Sequence, residues 1–152
     1  MTMSMGCDGL DLSLLNPTQF KLSFSKIPNV EFFCQAITLP ELNLGAVMQN
    51  TPMLDVFHHG EKVTHQPLFA EVLLDKQMKT YNEIYKWMKE LSVMYGATEA
   101  SSDCIVTIGQ SAFHFHDVFP INLASVNMNI AVPDIQAVTF GVTFEYDHFT
   151  ME

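Results

Sequence analysis

The sequence contains no arginine, and its seven basic residues are all lysines. Seventeen acidic residues outnumber them, which gives a formal net charge of −10 at pH 7. No basic residue follows Lys89. Proteins that grip nucleic acid need a basic face, usually with arginine for bidentate contacts to phosphates or bases. The composition therefore excludes a protein that holds nucleic acid, although DNA could pass close to it.

Cysteine is scarce as well, and long hydrophobic runs are missing. Cys7, Cys34 and Cys104 are odd in number and far apart, without a C-x-x-C pair, so neither a disulfide framework nor a zinc knuckle fits. No apolar run approaches the ~18 residues of a membrane-spanning helix. The N-terminus lacks a basic region followed by an apolar one. We therefore expect reduced thiols, no membrane association and no secretory signal.

Motifs of catalysis are also missing, since the sequence has no G-x-S-x-G, P-loop, G-x-G-x-x-G or HExxH. His114 and His116 share a face of a short predicted strand, but only Asp117 accompanies them, so we interpret them as surface residues. Cys34 lies in an apolar segment typical of a buried, inert thiol. Asp75 follows a predicted strand, where aspartate commonly satisfies turn amides. We expect no enzyme activity, no cofactor and no metal.

Hydrophobic residues, in contrast, make up 48% of the chain, with phenylalanine (12 copies) dominating the aromatics. A chain of 152 residues with this composition can bury a core of its own without disulfides or metals. We therefore expect one domain over residues 1–152. Residues 1–16, which are rich in methionine and glycine, are expected to form a flexible or partner-ordered arm.

One helix is predicted, over about residues 80–93, directly after a strand at 68–74. The apolar spacing changes at residue 81 from that of a strand to that of a helix. Thr80 and Glu83 have the spacing of a capping box, and Gly96 is a plausible helix end. The residues expected to pack this helix against the domain are a stripe and a tryptophan beside it: Tyr81, Ile84, Tyr85, Met88, Leu91 and Trp87.

Alternating apolar and polar residues predict about seven or eight strands in the body of the protein. Outside the segment 41–66, these strands are expected at 20–24, 31–38, 68–74, 104–108, 113–116, 124–132 and 138–147, with a chain break at Phe119-Pro120. A sheet of this kind must bury one face. The fold class is therefore mainly β (α+β), an antiparallel barrel or sandwich with one flanking helix.

Residues 41–66 are too apolar for an ordinary loop, and we interpret them as a long hairpin that folds back near Asn50 and projects from the body. Two explanations of its apolar residues stay open: they contact another protein molecule, which we favour, or they pack against the sheet of their own chain. The residues concerned are Leu42, Leu44, Val47, Met48, Met53, Leu54, Val56 and Phe57.

Three blocks of sequence, in this order and spacing, carry a resemblance to a known family. The first block contains Asn16-Pro17 through Phe20, Cys34 and Leu39-Pro40. The second contains Pro67-Leu68, Leu74-Asp75, Tyr81 to Ile84 and Trp87. The third is Asp117 to Pro120, followed by two closing strands. Over about residues 16–149 the chain resembles the tail tube proteins of contractile-tailed bacteriophages, a family with tube initiator and cap relatives and with the inner tubes of type VI secretion and contractile toxin particles.

The resemblance implies a structural protein that assembles into hexameric rings, which stack as a hollow tube inside a sheath and conduct DNA at ejection. Neighbouring subunits join strands around the lumen, and the hairpin at 41–66 is expected to make the contact between rings. The implied partners are other copies of the chain, the tail sheath protein, and baseplate and tail terminator proteins, with DNA passing unbound. The implied location is the virion, after assembly in the host cytoplasm.

The charge of the chain and the alternation of residues along its strands indicate candidate surfaces for such a tube. An acidic lumen would repel DNA, and its candidate residues are the polar positions of the long strands: Glu71, Asn127, Asn129, Thr139, Thr143 and Glu145. Lysines of the helix, Lys79, Lys86 and Lys89, are candidates for contact with the sheath or a neighbouring subunit. Two other functions stay open: a tube initiator or cap of the same fold, and a β-barrel with a phenylalanine-rich ligand pocket.

Overall fold

The computed structural model describes residues 13–28, 30–93, 101–131 and 136–152, with the backbone alone for Phe32. Within these ranges the chain forms nine strands and two helices. They are β1 Phe20–Phe24, α1 Val30–Phe33, β2 Cys34–Thr38, β3 Leu42–Asn50, β4 Asp55–His65, β5 Leu68–Leu73, α2 Lys79–Val93, β6 Ser102–Ile108, β7 Ser111–Leu123, β8 Thr139–Glu145 and β9 His148–Met151. Four sequence predictions lie outside the described residues: the arm over 1–12, Gly96, Val132 and the turn at Pro133-Asp134.

All strand pairs are antiparallel, and β7 joins two layers of a sandwich. The order in the main sheet is β1-β6-β7-β8-β5-β2, and β9 also pairs with β7. The first part of β7 pairs with β6 and β9, while Phe119–Leu123 pairs with β8. Strands β3 and β4 form a separate two-stranded sheet. This confirms a mainly β sandwich with a flanking helix and a projecting hairpin.

The core is built from alternate residues of five strands and from one face of α2, which covers the sandwich. Phe24 of β1 lies between Trp87 and Phe144, with ring centroids 6.0 and 4.8 Å away. Phe115 packs edge-on against Tyr146 at 4.9 Å. The other strand residues of the core are Leu22, Leu68, Ala70, Val72, Cys104, Val106, Val118, Phe140 and Val142. Burying a large aromatic or aliphatic side chain stabilises the fold by about 1.5–3 kcal/mol each.

Helix α2 begins one residue before the predicted start, and its cap differs from the predicted one. The first helical hydrogen bond runs from the Asn82 N–H to the Met78 carbonyl (3.0 Å), so Met78 occupies the N-cap position. The Asp75 carboxylate accepts from the Lys79 N–H (2.9 Å), as expected of an aspartate at such a turn. The capping box was wrong: Thr80 lies inside the first turn, fully buried, and its hydroxyl has no hydrogen-bond partner within the described chain.

The side of α2 that packs against the core differs from the predicted apolar stripe at one position, Tyr85. Ile84 and Trp87 are buried, and Tyr81, Met88 and Leu91 pack against the core with part of their surface exposed. Tyr85 is 47% exposed instead, with the Lys89 ammonium 5.6 Å from its ring centroid. Trp87 takes the core position, because the helix is rotated so that residues 80, 84 and 87 share the inner face.

The predicted strand at 31–38 is split. Val30–Phe33 forms a one-turn helix, and only Cys34–Thr38 is a strand. A turn begins at Ile27-Pro28, where the Val30 N–H donates to the Ile27 carbonyl (3.3 Å), and it buries Val30. A short apolar run such as Glu31 to Phe33 does not distinguish a strand from a helical turn by periodicity, which explains the error.

Two further predictions were wrong beyond residue 110. Phe119-Pro120 does not break the chain, because β7 continues to Leu123. The register shift that follows Pro120, together with the positive φ of Asp117 (54°), lets one strand change partners. Residues 124–131 form no strand in spite of their alternation. The Ala124 N–H still donates to the Gly141 carbonyl of β8 (2.8 Å), and there the ladder ends.

Candidate assembly surfaces

The hairpin of β3 and β4 projects from the body, and among the described strands β3 and β4 pair only with each other. The turn at its tip is held by Thr51, whose hydroxyl contacts the Leu54 carbonyl and accepts from the Leu54 N–H (3.1 Å). Packing against the chain's own sheet, the alternative left open above, was wrong, because the apolar side chains lie in solvent. The exposed ones are Leu42, Leu44, Val47, Met48, Met53, Leu54, Val56, Phe57 and also Val63, a position that its alternation could have indicated.

The distal half of the hairpin, residues 46–59, combines apolar surface with very little charge. Met48 lies opposite Phe57 on one face, and Val47 lies opposite His58 on the other. Asp55 is the one acidic residue in this range, and no lysine is present. At the tip Met53 is 97% exposed. An isolated two-stranded ribbon cannot bury either face alone, so this surface is suited to contact with another molecule.

A pair of glycines divides the hairpin into its distal and proximal halves. The pairing register shifts between Leu44 and Ala46, so that Gly45 faces a longer segment of β4 that begins at Gly60. A Cβ on Gly60 would lie 2.4 Å from the Gly45 carbonyl oxygen. No side chain fits at that distance, and the close backbone approach therefore requires glycine.

The base of the hairpin is fixed to the core through His65. Its ring stacks on Tyr146 with centroids 4.3 Å apart, and its Nε2 lies 3.2 Å from the Asp147 carbonyl oxygen. The Tyr146 hydroxyl donates to the Gln66 carbonyl (3.0 Å). Burial, and after it the charge of Glu145, raises the pKa of Tyr146 to about 12. The sequence reasoning missed this junction, because nothing in the spacing of these residues relates them.

Four of the six candidate lumen residues share one polar face, on the side of β5 and β8 away from the core. Glu71 accepts a hydrogen bond from the Thr139 hydroxyl (2.7 Å), and Thr143 and Glu145 continue the same face of β8. Asn127 and Asn129 lie outside these strands, in a segment that is no strand, where the Asn129 side chain accepts a hydrogen bond from the Ala131 N–H (2.9 Å). Whether this face lines a lumen stays a prediction.

The same face carries one aromatic residue that alternation alone did not single out. Phe69 is 41% exposed and extends over Gly141 of the adjacent strand. A Cβ at Gly141 would lie 2.9 Å from the Phe69 ring, so glycine is needed there for the ring to lie flat against the sheet. The face is therefore polar and acidic, with a single aromatic patch.

Helix α2 presents its lysines on the side opposite the core. Lys79, Lys86 and Lys89 are exposed. Among the other lysines, Lys26 pairs with Glu90 of the helix (3.2 Å) and Lys21 pairs with Glu31 (2.6 Å). The outer face of α2 thus concentrates positive charge on a strongly acidic chain, and its proposed partner remains a prediction.

An uncharged groove lies between the two end strands of the main sheet, β1 and β2. Its lining consists of Pro17, Phe20, Gln35, Ala36, Ile37, Thr38, Leu39 and Ile108. Strand β2 pairs with β5 along one edge, and its other edge, which borders the groove, is unpaired among the described strands. An unpaired edge presents backbone N–H and C=O groups to any strand that can reach it.

Cys34 and Cys104, the two cysteines that the structure describes, are poor nucleophiles in this fold. Cys34 is half-buried rather than buried as expected; burial raises the pKa of its thiol to about 11, against a weaker opposing effect of a backbone hydrogen bond from Ala36. Burial, with the nearby Cys34, also raises the pKa of Cys104. Because the thiolate is the reactive form, both side chains remain protonated and unreactive near neutral pH.

The described residues offer no site for a metal ion, since no group of three or more histidine, cysteine or acidic side chains is placed to bind one. In the ranges that the structure describes, no helix has both the length and the apolar character required to span a bilayer.

Neither a protein-family model nor a curated protein sequence matches the chain. Solved structures do match. A chain in the cryo-EM structure of the anti-feeding prophage baseplate, 6-fold symmetrised, superposes with a TM-score of 0.69 at 11% identity, over 94% of this chain and 97% of that one. A chain of an extracellular contractile injection system, in its PVC sheath/tube terminator in the extended state, gives 0.68 at 13% identity, over 93% and 99%.

A third match is a chain in the PVC sheath-tube complex in the extended state, with a TM-score of 0.64, 11% identity and 99% coverage of both chains. The likeness is one of fold, because the identities are low. The chain therefore has the fold found in these contractile injection assemblies, as the sequence resemblance implied. The matches extend over nearly the whole of each chain. A single domain over residues 1–152 stays a prediction.

Proposed function

We propose that the chain is a structural subunit of the inner tube of a contractile tail or a related injection system, in which six copies form a ring and rings stack into a tube. The observation that carries this proposal is the distal half of the projecting hairpin, a ribbon with one charged residue, whose apolar side chains the described part of the body leaves uncovered. The fold supports it, because the matched chains come from baseplate, terminator and sheath-tube structures of such systems.

In this function the hairpin makes the contact between rings. Its distal half, from Ala46 to His59, reaches beyond the sandwich and inserts against a copy in the next ring. Met48 and Phe57 form one apolar face of the ribbon, and Val47 and Val56 lie on the other. Both faces can therefore be buried at once between two neighbours. The stacking contact is mainly hydrophobic, because Asp55 is the one charged residue in this half.

The polar face of β5 and β8 lines the lumen in this proposal. Strands β2, β5 and β8 contain Glu71 and Glu145 but no basic residue. Six copies with a net charge of −10 each bring about −60 to a ring, so an acidic wall would repel DNA and let it pass without adhering. The absence of arginine also removes the side chain best suited to clamp phosphate.

The lysines on the outer face of α2 contact the sheath protein or a neighbouring subunit. Lys79, Lys86 and Lys89 offer the complementary charge to an acidic partner surface, while the opposite face of the helix is committed to the core. In such a particle the remaining partners are the baseplate at one end of the tube and the terminator at the other. The chain is structural rather than catalytic, and in a phage it belongs to the virion after assembly in the host cytoplasm.

A second candidate function is supported by the structural matches themselves. The TM-scores for the baseplate chain (0.69) and for the sheath/tube terminator (0.68) are slightly higher than the score for the sheath-tube complex (0.64). A tube initiator or a terminating cap of the same fold would form a ring but would not polymerise. The number of copies per particle separates the two functions, because a main tube protein is abundant and an initiator or cap is present as a few rings.

Electron microscopy of the purified full-length chain tests the proposal. We expect negative-stain images to show rings at low concentration and stacked tubes at high concentration. Rings without stacking at any concentration would favour the initiator or cap. A protein that stays monomeric across concentration, salt and pH would overturn both candidate functions.

A further inference from the structure

Residues 124–131 have the sequence pattern of a strand but none of its pairing. Ala124, Val126, Met128 and Ile130 alternate with serine and asparagine. Between the Ala124 N–H, which donates to β8, and the Ala131 N–H, which donates to the Asn129 side chain, no described residue makes a ladder hydrogen bond with this segment. Backbone groups of this pattern are normally paired in a folded protein.

The exposure of the segment changes along its length. Val126 packs against the core of its own chain, whereas Met128 is 73% exposed and Ile130 is fully exposed. No charged side chain occurs between residues 124 and 131, on a chain with a net charge of −10. The segment therefore leaves its own body with its apolar side chains uncovered and without the charges that normally keep an exposed strand in solution.

The same fold provides a matching acceptor at the other end of the sheet. The groove between β1 and β2 contains no charged residue, and its apolar lining includes Phe20, Leu39 and Ile108. The free edge of β2 supplies unpaired N–H and C=O groups along this groove. No residue of 124–131 lines the groove of its own chain. Among the described residues, two uncharged, apolar elements thus remain unpartnered at separate places on one acidic subunit.

We propose that residues 124–131 of one copy add as a strand to the β2 edge of the neighbouring copy, with Met128 and Ile130 entering the groove between its β1 and β2. This inference rests on the proposed ring and identifies its lateral contact. A contact that uses two different surfaces of the same chain is head-to-tail, and such contacts generate a closed ring when the rotation between copies closes. The hairpin is left free for stacking.

A photo-crosslinking experiment on the full-length chain tests the contact without assuming a register. A photoreactive phenylalanine analogue replaces Met128, and assembled rings made from equal parts of ¹⁵N-labelled and unlabelled chains are irradiated. We expect crosslinks between copies that map to residues 34–39 or to Phe20. The same probe at the exposed Tyr85 is the control and should not give this product. Crosslinks from Met128 to the hairpin, or to α2, would overturn the proposal.

A substitution gives a second, independent readout. Met128→Asp should raise the concentration needed for half-maximal ring formation at least tenfold and leave the melting temperature unchanged, because the side chain is largely in solvent in the free subunit. Unchanged ring formation by Met128→Asp would overturn the inference and leave the proposed function intact. If the wild-type chain forms no ring at all, both fall together.

Discussion

The sandwich and the hairpin are built from the same kinds of residues but differ in what covers them. In the sandwich, alternate residues such as Val72, Phe140 and Phe144 of facing strands meet one another and α2, and they are buried. In the hairpin, equally apolar residues such as Met48 and Phe57 are exposed, because a two-stranded ribbon has no second layer. Hydrophobicity in the first region maintains the fold, and in the second it is available for assembly.

The comparison shows what an alternating pattern does and does not specify. Alternation tells which residues share a face of a strand, but the covering of that face depends on the layers around it. This difference between the two regions predicts that substitutions in the sandwich lower the free energy of unfolding. Substitutions in the hairpin should reduce only the extent of assembly. Four experiments test this division, in order of decreasing effect on folding.

Trp87→Ala should cause the largest loss of stability, about 3–5 kcal/mol, because it removes a buried ring that contacts Phe24 and Phe144. Urea denaturation followed by circular dichroism measures the change. Tyr85→Ala, on the exposed side of the same helix, is the control and should change stability by less than about 1 kcal/mol. Equal effects of the two substitutions would contradict the described orientation of α2.

Alkaline pH should destabilise the chain through Tyr146. The fold raises the pKa of Tyr146 to about 12, above the ordinary value of about 10. The stability that comes from burying its protonated hydroxyl is therefore fully present below pH 10 and is lost as the pH rises towards 12. Tyr146→Phe should flatten the fall in stability between pH 9 and pH 12, leaving the part due to Cys34 and Cys104, whose pKa values are also raised by burial. The same slope in both proteins would refute this assignment.

Asp117→Val should cost about 1–2 kcal/mol, because a β-branched residue is strained at the positive φ of 54° that β7 adopts where it changes partners. Asp117→Asn is the matched control, since asparagine tolerates this conformation and keeps a side-chain oxygen towards Ser101. Thermal denaturation distinguishes the two. Equal melting temperatures for both variants would mean that the backbone at this corner relaxes without cost.

The double substitution Met48→Glu with Phe57→Glu should have the smallest effect on folding and the largest on assembly. Both side chains are exposed in the free subunit, so we expect the free energy of unfolding to change by less than about 0.5 kcal/mol. Stacking into tubes, followed by light scattering and microscopy, should be lost, because charges would face an apolar contact. Val93→Glu, at the exposed end of α2, is the control and should stack normally. Tubes of normal length from the double variant would remove the hairpin from the stacking contact.

Much of the fold could be predicted from the sequence where one physical signal dominated. The change from strand to helical spacing after Leu74 placed α2 within one residue of its observed start, and alternation placed β1, β5, β6 and β8. The apolar character of 41–66 indicated a projecting hairpin, because such a segment is too apolar for a solvated loop. Each of these signals is local and extends over several residues.

The errors arose where a local pattern was overridden by neighbours that the sequence does not identify. Pro120 is normally a strand breaker, but a register shift accommodates it beside β8. Residues 124–131 have the pattern of a strand, but beyond Ala124, whose N–H donates to the Gly141 carbonyl, nothing in the described part of the chain pairs with them. The same limit applies to the surfaces. Alternation predicted the polar face of β5 and β8, but it could not show that Asn127 and Asn129 lie outside the strands.

The two glycines of the hairpin have a mechanical consequence. Strand β3 is about 30 Å long at the usual rise of roughly 3.4 Å per residue, and its distal half extends outwards from the backbone contact between Gly45 and Gly60. A rotation of about 10° there displaces the tip by about 3 Å, roughly the rise of one strand residue. The direction of the distal half is therefore set where two backbones touch without side chains. A single methyl group at Gly60 would change that direction.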